Sequence, residues 1–202
     1  LYGGDINFTN MRSYLISTGW EQLKSMDDYS LSEQHSSQWG VRDDITFNTI
    51  YNQITESSAD TPHLWGYSTL SSHEPWDVPM KKLDDEVENA FYYLDDCLYH
   101  FIEKLKKTQQ WNNLLIVLIA DHGIIHGEID QTKPLQKNPI PMLWIGGAIR
   151  KPRTIETLCN QSDLPATLLG QLHLSHDDYT FSRDVLSETY TSPTVVHNYN
   201  NV

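Results

Sequence analysis

The chain has 202 residues, with 14 Lys and Arg against 27 Asp and Glu and a formal net charge of −13. That length suits a single domain, residues 1–202, able to bury its own core without disulfide or metal staples. The acidity excludes a nucleic-acid partner, no apolar run is long enough to cross a bilayer, and two cysteines make neither a disulfide framework nor a metal knuckle.

In chain order, Thr9 to Thr18 reads as a short helix stopped by Gly19. Residues 24–40 are polar and serine-rich and read as a surface loop. Asp43 or Asp44 then opens a second helix, with Phe47, Ile50, Tyr51 and Ile54 at helical spacing. Leu64–Leu70 reads as a strand weakened by Gly66. Asp84 to Lys107 is the strongest helix: Val87, Ala90, Phe91, Leu94, Cys97, Leu98, Phe101, Ile102 and Leu105 share one apolar stripe. Acids at its start and lysines at its end complement the helix dipole. Cys97 on that stripe reads as a buried free thiol.

A turn at Trp111-Asn112-Asn113 leads into seven apolar residues, Leu114 to Ala120, a fitting length for a strand buried on both faces. A Gly- and Pro-containing loop (123–139), a strand Pro141–Ile145 and a Gly146-Gly147 turn follow. Asp163 is placed to cap a last helix, Leu164 to Leu172, with Pro165 in its first turn. Alternating strands and helices of this kind imply an α/β domain, with helices packed on a largely parallel sheet.

Chemistry concentrates at two strand ends. Asp121-His122-Gly123 directly follows the 114–120 run, at the carboxyl end of the strand, where ligands bind in open α/β sheets. Asp supplies a hard oxygen and His a borderline nitrogen, a pair suited to a divalent metal. The competing reading is a polar turn with Asp121 capping the next element. Ser71-Ser72-His73-Glu74-Pro75 likewise follows a strand, and His73 is either a group that meets an anionic oxygen or a loop histidine bonded to backbone. His126 joins His122 on one face if the chain turns helical after Gly123; otherwise it sits in a flexible loop. Arg42, in Trp39-Gly40-Val41-Arg42-Asp43-Asp44, either grips an anion with its planar fork or pairs with a neighbouring Asp. His35, His63, His100, His173, His176 and His197 show no partner pattern. Phosphate-loop, dinucleotide and nucleophile-elbow fingerprints are absent from the sequence.

The ordered set of Asp121-His122-Gly123, Ser71 to Pro75 and Ile140-Pro141-Met142-Leu143-Trp144-Ile145-Gly146-Gly147 resembles the sulfatase-like members of the alkaline phosphatase superfamily. The branch containing lipoteichoic acid synthases and lipid A phosphoethanolamine transferases is the most similar. Tyr2 to Met11 is similar to the segment before the substrate pocket of those synthases, and Gln161 to Leu169 to a late helix of sulfatase domains. The resemblance implies a three-layer sandwich, alkaline-phosphatase-like, and a double displacement at phosphorus or sulfur through a covalent enzyme intermediate. It implies a divalent metal (Mn, Zn, Mg or Ca) held in part by Asp121 and His122, with His73 at the transferring group or leaving oxygen. It also implies an anionic phosphate- or sulfate-ester substrate, such as a lipid head group, on the extracytoplasmic face of a bacterial membrane.

Three departures qualify the resemblance. The family's upstream acidic ligand and nucleophilic Thr precede the segment where this chain starts, so the chain reads as cut from a longer, membrane-anchored protein and as supplying only part of the active site. Tyr2-Gly3 and Thr9-Asn10-Met11 replace the synthases' His-Gly and Trp-Asn-Arg, with Arg12 next in line to supply the lost guanidinium. Asn138-Pro139 stands where related transferases place a further His. Thr9, Thr18, Thr46 and Thr69 are rejected as substitute nucleophiles. The alternatives are a sulfatase acting on sulfate esters and a non-catalytic binding domain that retains the fold.

Overall fold

A computed structural model describes residues 1–58, 60–130, 132–133, 136 and 138–192. His197 and parts of the 123–139 loop lie outside the described residues. The chain forms two units, Leu1–Val117 with Trp144–Ile149 and Leu118–Leu143 with Arg150–Val202.

The first unit is built on an amphipathic helix pair. It holds α1 (Met11–Ser17), α2 (Leu31–Gln34), α3 (Asp43–Glu56) and α4 (Glu86–Leu105). Asp85 caps α4 by accepting from the backbone N–H of Val87 and Glu88, both at 3.0 Å. The expected stripes meet: Phe47, Ile50 and Ile54 of α3 pack with Tyr93, Cys97, Phe101 and Leu105 of α4, and Leu114 closes the cluster. Phe91 is the exception on α4, at 42 % exposure. Each fully buried side chain of this kind contributes about 1.5–3 kcal/mol.

Several expectations are corrected. The helix expected over 9–18 starts at Met11, behind a 3-10 turn (Phe8–Asn10) in which Thr9 and Asn10 adopt φ of 52° and 62°. Left-handed backbone at two adjacent non-glycine residues cannot continue into an α-helix. The 24–40 segment is not a plain loop: Ser25 and Ser30 close capping boxes with Asp28 and Glu33 and start a 3-10 turn and α2. Leu64–Leu70 forms no regular strand. Its backbone groups go elsewhere: Ser68 N–H to the Leu1 carbonyl (3.1 Å), and Leu70 N–H to the Asp43 carboxylate. What remains is one parallel bridge between Tyr2 and Ser68.

The apolar run at 114–120 yields β1 (Ile116–Ile119), which pairs with β2 (Met142–Ile145). Among the described residues this is a two-stranded sheet, not the larger parallel sheet expected. β1 is partly exposed, with Ile119 at 38 %, and among the described residues no strand other than β2 pairs with it. Gly146 follows β2 at φ 127°, and a Cβ there would lie 2.1 Å from the Leu114 carbonyl oxygen. Only glycine permits that approach.

In the second unit, α5 (Leu164–Gln171) carries Pro165 in its first turn as expected, but Asp163 is not its side-chain cap. Asp163 is 1 % exposed and gathers the chain that follows. It accepts from Arg183 N–H (3.1 Å), Asn160 N–H (3.1 Å) and the Tyr190 hydroxyl (2.8 Å). Burial and this carboxylate raise the Tyr190 hydroxyl to about 12.

Asp43 is the first unit's counterpart. It is 1 % exposed and accepts from Ser71 N–H (2.8 Å), Leu70 N–H (3.1 Å) and the Tyr67 hydroxyl (2.8 Å). Its place in the first turn of α3 adds the helix dipole to those donors. Asp43→Ala orphans several buried donors at once and is expected to cost about 3 kcal/mol, read as a lowered midpoint in urea unfolding.

Cys97 is a buried free thiol, as expected. Burial raises it to about 11, aided by the nearby Asp44 and Asp43 charges and opposed by a hydrogen bond from Tyr93. The unfolded chain releases this proton near 9 and the folded chain near 11, so the folded state binds more protons in that window and its stability falls as pH rises through it. At pH 8 the thiolate fraction is on the order of 0.1 %. A disulfide reagent should label Cys97 in native protein far more slowly than after denaturation.

Candidate active site

Asp121 and His122 follow β1 in the second unit. The two side chains are exposed, at 91 % and 67 %, with His122 Nε2 3.6 Å from Asp121 Oδ2. Asp121 Oδ1 also accepts the His122 backbone N–H at 2.9 Å, so the carboxylate is turned back over its neighbour. The His122 ring is oriented from its other side, with Nδ1 2.9 Å from the Gly123 carbonyl oxygen. A carbonyl oxygen only accepts, so Nδ1 carries the hydrogen, and the neutral ring keeps its lone pair on Nε2. Ligand histidines are commonly fixed by such a bond from the second nitrogen.

Gln161 holds this strand end. Its side-chain amide donates to the carbonyls of Ala120 (2.7 Å) and Asp121 (2.8 Å). Sequence reading placed Gln161 in a late-helix motif and gave it no part in the site, because its partners are forty residues away. His126 is partly buried, and residues 123–126 are not helical, so the helical His-x-x-x-His face does not form. Within the 123–139 loop, Asn138 Nδ2 is enclosed without a hydrogen-bond partner among the described residues.

Asp121 and His122 suit a divalent cation in donor chemistry. Two ligands at about 2.0–2.2 Å in tetrahedral geometry lie a little over 3 Å apart, close to the spacing here. They amount to two donors. Among the described residues no group of three or more His, Cys, Asp or Glu side chains gathers as a metal set.

His73 lies in the first unit, in a turn anchored by Asp43 immediately upstream. His73 N–H donates to the Leu70 carbonyl (3.1 Å), and Trp76 N–H to the His73 carbonyl (3.0 Å). The exposed His73 ring places Nδ1 2.7 Å from the Glu74 carbonyl oxygen. Here too Nδ1 must donate, leaving Nε2 as the available atom. His73 is thus bonded to backbone through Nδ1, with Nε2 outside that bond. Gln38, Trp39, His73, Glu74 and Pro75 border an open cleft of about 370 Å³.

The arginine candidates divide. Arg42 is engaged by Asp44, Nε to Oδ1 at 3.0 Å and Nη2 to Oδ2 at 3.2 Å, so its fork serves an ion pair, the alternative weighed from sequence. Arg12 donates from Nε to the Asn7 side chain (3.0 Å) on an exposed surface. Thr46 is fully buried with its hydroxyl 2.7 Å from Tyr67, and Thr18 bonds helix carbonyls. Both serve structure, in line with their rejection as nucleophiles.

The second unit thus carries an acidic and imidazole pair at a strand end, and the first unit a histidine on a braced turn. The chain belongs to the Sulfatase family, whose model matches residues 7–174. The lipoteichoic acid synthase-like protein YvgJ of Bacillus subtilis is 28 % identical, over 89 % of this chain and 33 % of its own length. Phosphoglycerol transferase I of Xanthomonas campestris pv. campestris is 23 % identical, over 92 % of this chain and 28 % of its own length. The chain thus spans about a third of the length of these curated relatives. Among solved structures, an alkaline phosphatase superfamily protein from Vibrio parahaemolyticus matches with a TM-score of 0.75 and 26 % identity, over 94 % of this chain and 47 % of that one. The lipoteichoic acid synthase LtaP from Listeria monocytogenes shares the fold, with a TM-score of 0.78 at 22 % identity, over 92 % of this chain and 52 % of that one. Among the described residues no helix is long and apolar enough to cross a membrane.

Proposed function

We propose that this chain takes part in metal-dependent transfer or hydrolysis of a phosphoryl-type group, of the phosphoglycerol or phosphoethanolamine kind, through a covalent intermediate. The observation that carries the reading is the Asp121–His122 pair, with the His122 lone pair fixed on Nε2 beside the Asp121 carboxylate. Asp121 Oδ2 and His122 Nε2 are the atoms that would hold a divalent cation. Such a cation, when bound, lowers a hydroxyl nucleophile's pKa and offsets charge on the non-bridging oxygens. His73 accepts a proton from the incoming hydroxyl, or returns one to the leaving oxygen, through Nε2. The relatives named for phosphoglycerol transfer and lipoteichoic acid synthesis favour phosphorus over sulfur and an anionic ester substrate. By the same likeness we place the reaction on the extracytoplasmic side of a bacterial membrane.

The test is hydrolysis of nitrophenyl phosphate mono- and diesters and of nitrophenyl sulfate, with Mn²⁺, Zn²⁺ or Mg²⁺ supplied. Phosphate-ester turnover is expected to vanish with EDTA and to fall at least about 100-fold in Asp121→Ala. Turnover of the sulfate ester alone would replace this reading with a sulfatase. Absence of both turnover and bound metal would leave a binding domain.

A further inference from the structure

Trp39 has no part in the chemistry assigned above, yet its indole N–H is committed to the same backbone oxygen that receives the His73 ring. The Glu74 carbonyl oxygen lies 2.7 Å from His73 Nδ1 and 2.5 Å from Trp39 Nε1. That oxygen has two lone pairs and no hydrogen, so both nitrogens donate and its capacity is filled. The two rings also meet edge to face, with centroids 5.0 Å apart and planes at 73°. Phe8 also meets Trp39 edge to face, with centroids 6.0 Å apart, and the neighbouring Gln38 N–H is tied to Asp77 Oδ2 at 2.9 Å. Trp39 is thus in ring contact with Phe8 and joined by hydrogen bond to the segment that carries His73.

We propose that Trp39 is a positioning residue for His73: by fixing the Glu74 carbonyl through its indole N–H and walling the ring, it holds neutral His73 in the Nδ1–H tautomer, so that Nε2 is the proton-accepting atom. The inference rests on His73 acting as the acid–base group. A base needs its lone pair at the atom that meets the hydroxyl proton, and the opposite tautomer offers an N–H there instead. Without Trp39, the Glu74 carbonyl loses the bond that orients it toward the ring, and the imidazole regains room to rotate away from it.

The test reads the tautomer directly by long-range ¹H–¹⁵N correlation on ¹⁵N-histidine-labelled protein at pH 8.5, where imidazole is neutral. The native protein should show the His73 hydrogen on Nδ1. Trp39→Phe keeps a ring and loses the donor. Replacing Trp39 with β-(3-benzothienyl)alanine keeps the indole shape and loses only the N–H, which covers the case in which the Phe variant does not fold. Both variants should show a mixture of His73 tautomers, and in the metal-supplied diester assay kcat should fall about tenfold with KM unchanged. A native hydrogen on Nε2 would overturn the proposal. So would an Nδ1–H signal that survives undiminished in the benzothienyl variant, which would assign the tautomer to Glu74 alone. If native protein turns over no ester, the tautomer readout still decides the role of Trp39, and the failure belongs to the phosphoryl-transfer reading.

Discussion

A carboxylate with almost no exposure to water organises the first unit of this chain. Isolating an ionised Asp from solvent is costly unless its oxygens are filled with donors. Asp43 receives two backbone N–H groups and a tyrosine hydroxyl while sitting on the positive end of α3. Burial and the Asp43 charge hold the Tyr67 hydroxyl well above its ordinary range, so it remains a donor. The bonds to Leu70 and Ser71 fix the backbone just ahead of His73, and the chain then turns through the Leu70–His73 and His73–Trp76 hydrogen bonds. One side chain therefore ties the α3–α4 core to the turn that carries the His73 imidazole.

The two histidines of interest are prepared alike. Each has Nδ1 bonded to the carbonyl of the next residue, Glu74 for His73 and Gly123 for His122. A carbonyl only accepts, so in each ring the hydrogen lies on Nδ1 and the lone pair on Nε2. The same device serves different ends in the proposed chemistry: a lone pair for a proton at His73 and a lone pair for a metal at His122.

Much of this was legible in the sequence where the signal was local. The α4 stripe, the α3 opening at Asp43, the turn at 111–113 and the Asp121-His122-Gly123 strand end follow from periodicity and capping chemistry. The 64–70 segment was misread because its β-like composition says nothing about where its N–H groups go, and they go to Asp43 and Leu1. Asp163 looks like a helix cap from spacing alone, yet its partners Arg183 and Tyr190 lie 20 and 27 residues downstream. The partners of Gln161 and Trp39 are hidden for the same reason: each acts on a carbonyl more than thirty residues away, and backbone acceptors leave no trace in residue type. Arg42 was left between an anion and a neighbouring Asp, and the two-residue spacing to Asp44 decided for the ion pair.

In the proposed chemistry His122 offers Nε2, beside Asp121, to a divalent cation. Pulsed electron paramagnetic resonance of the Mn²⁺-loaded protein tests it most directly, because a bound imidazole nitrogen modulates the echo. The account predicts ¹⁴N modulation from one histidine, abolished in His122→Gln while the fold is retained. Bound Mn²⁺ without nitrogen modulation, or modulation that persists in His122→Gln, would contradict it.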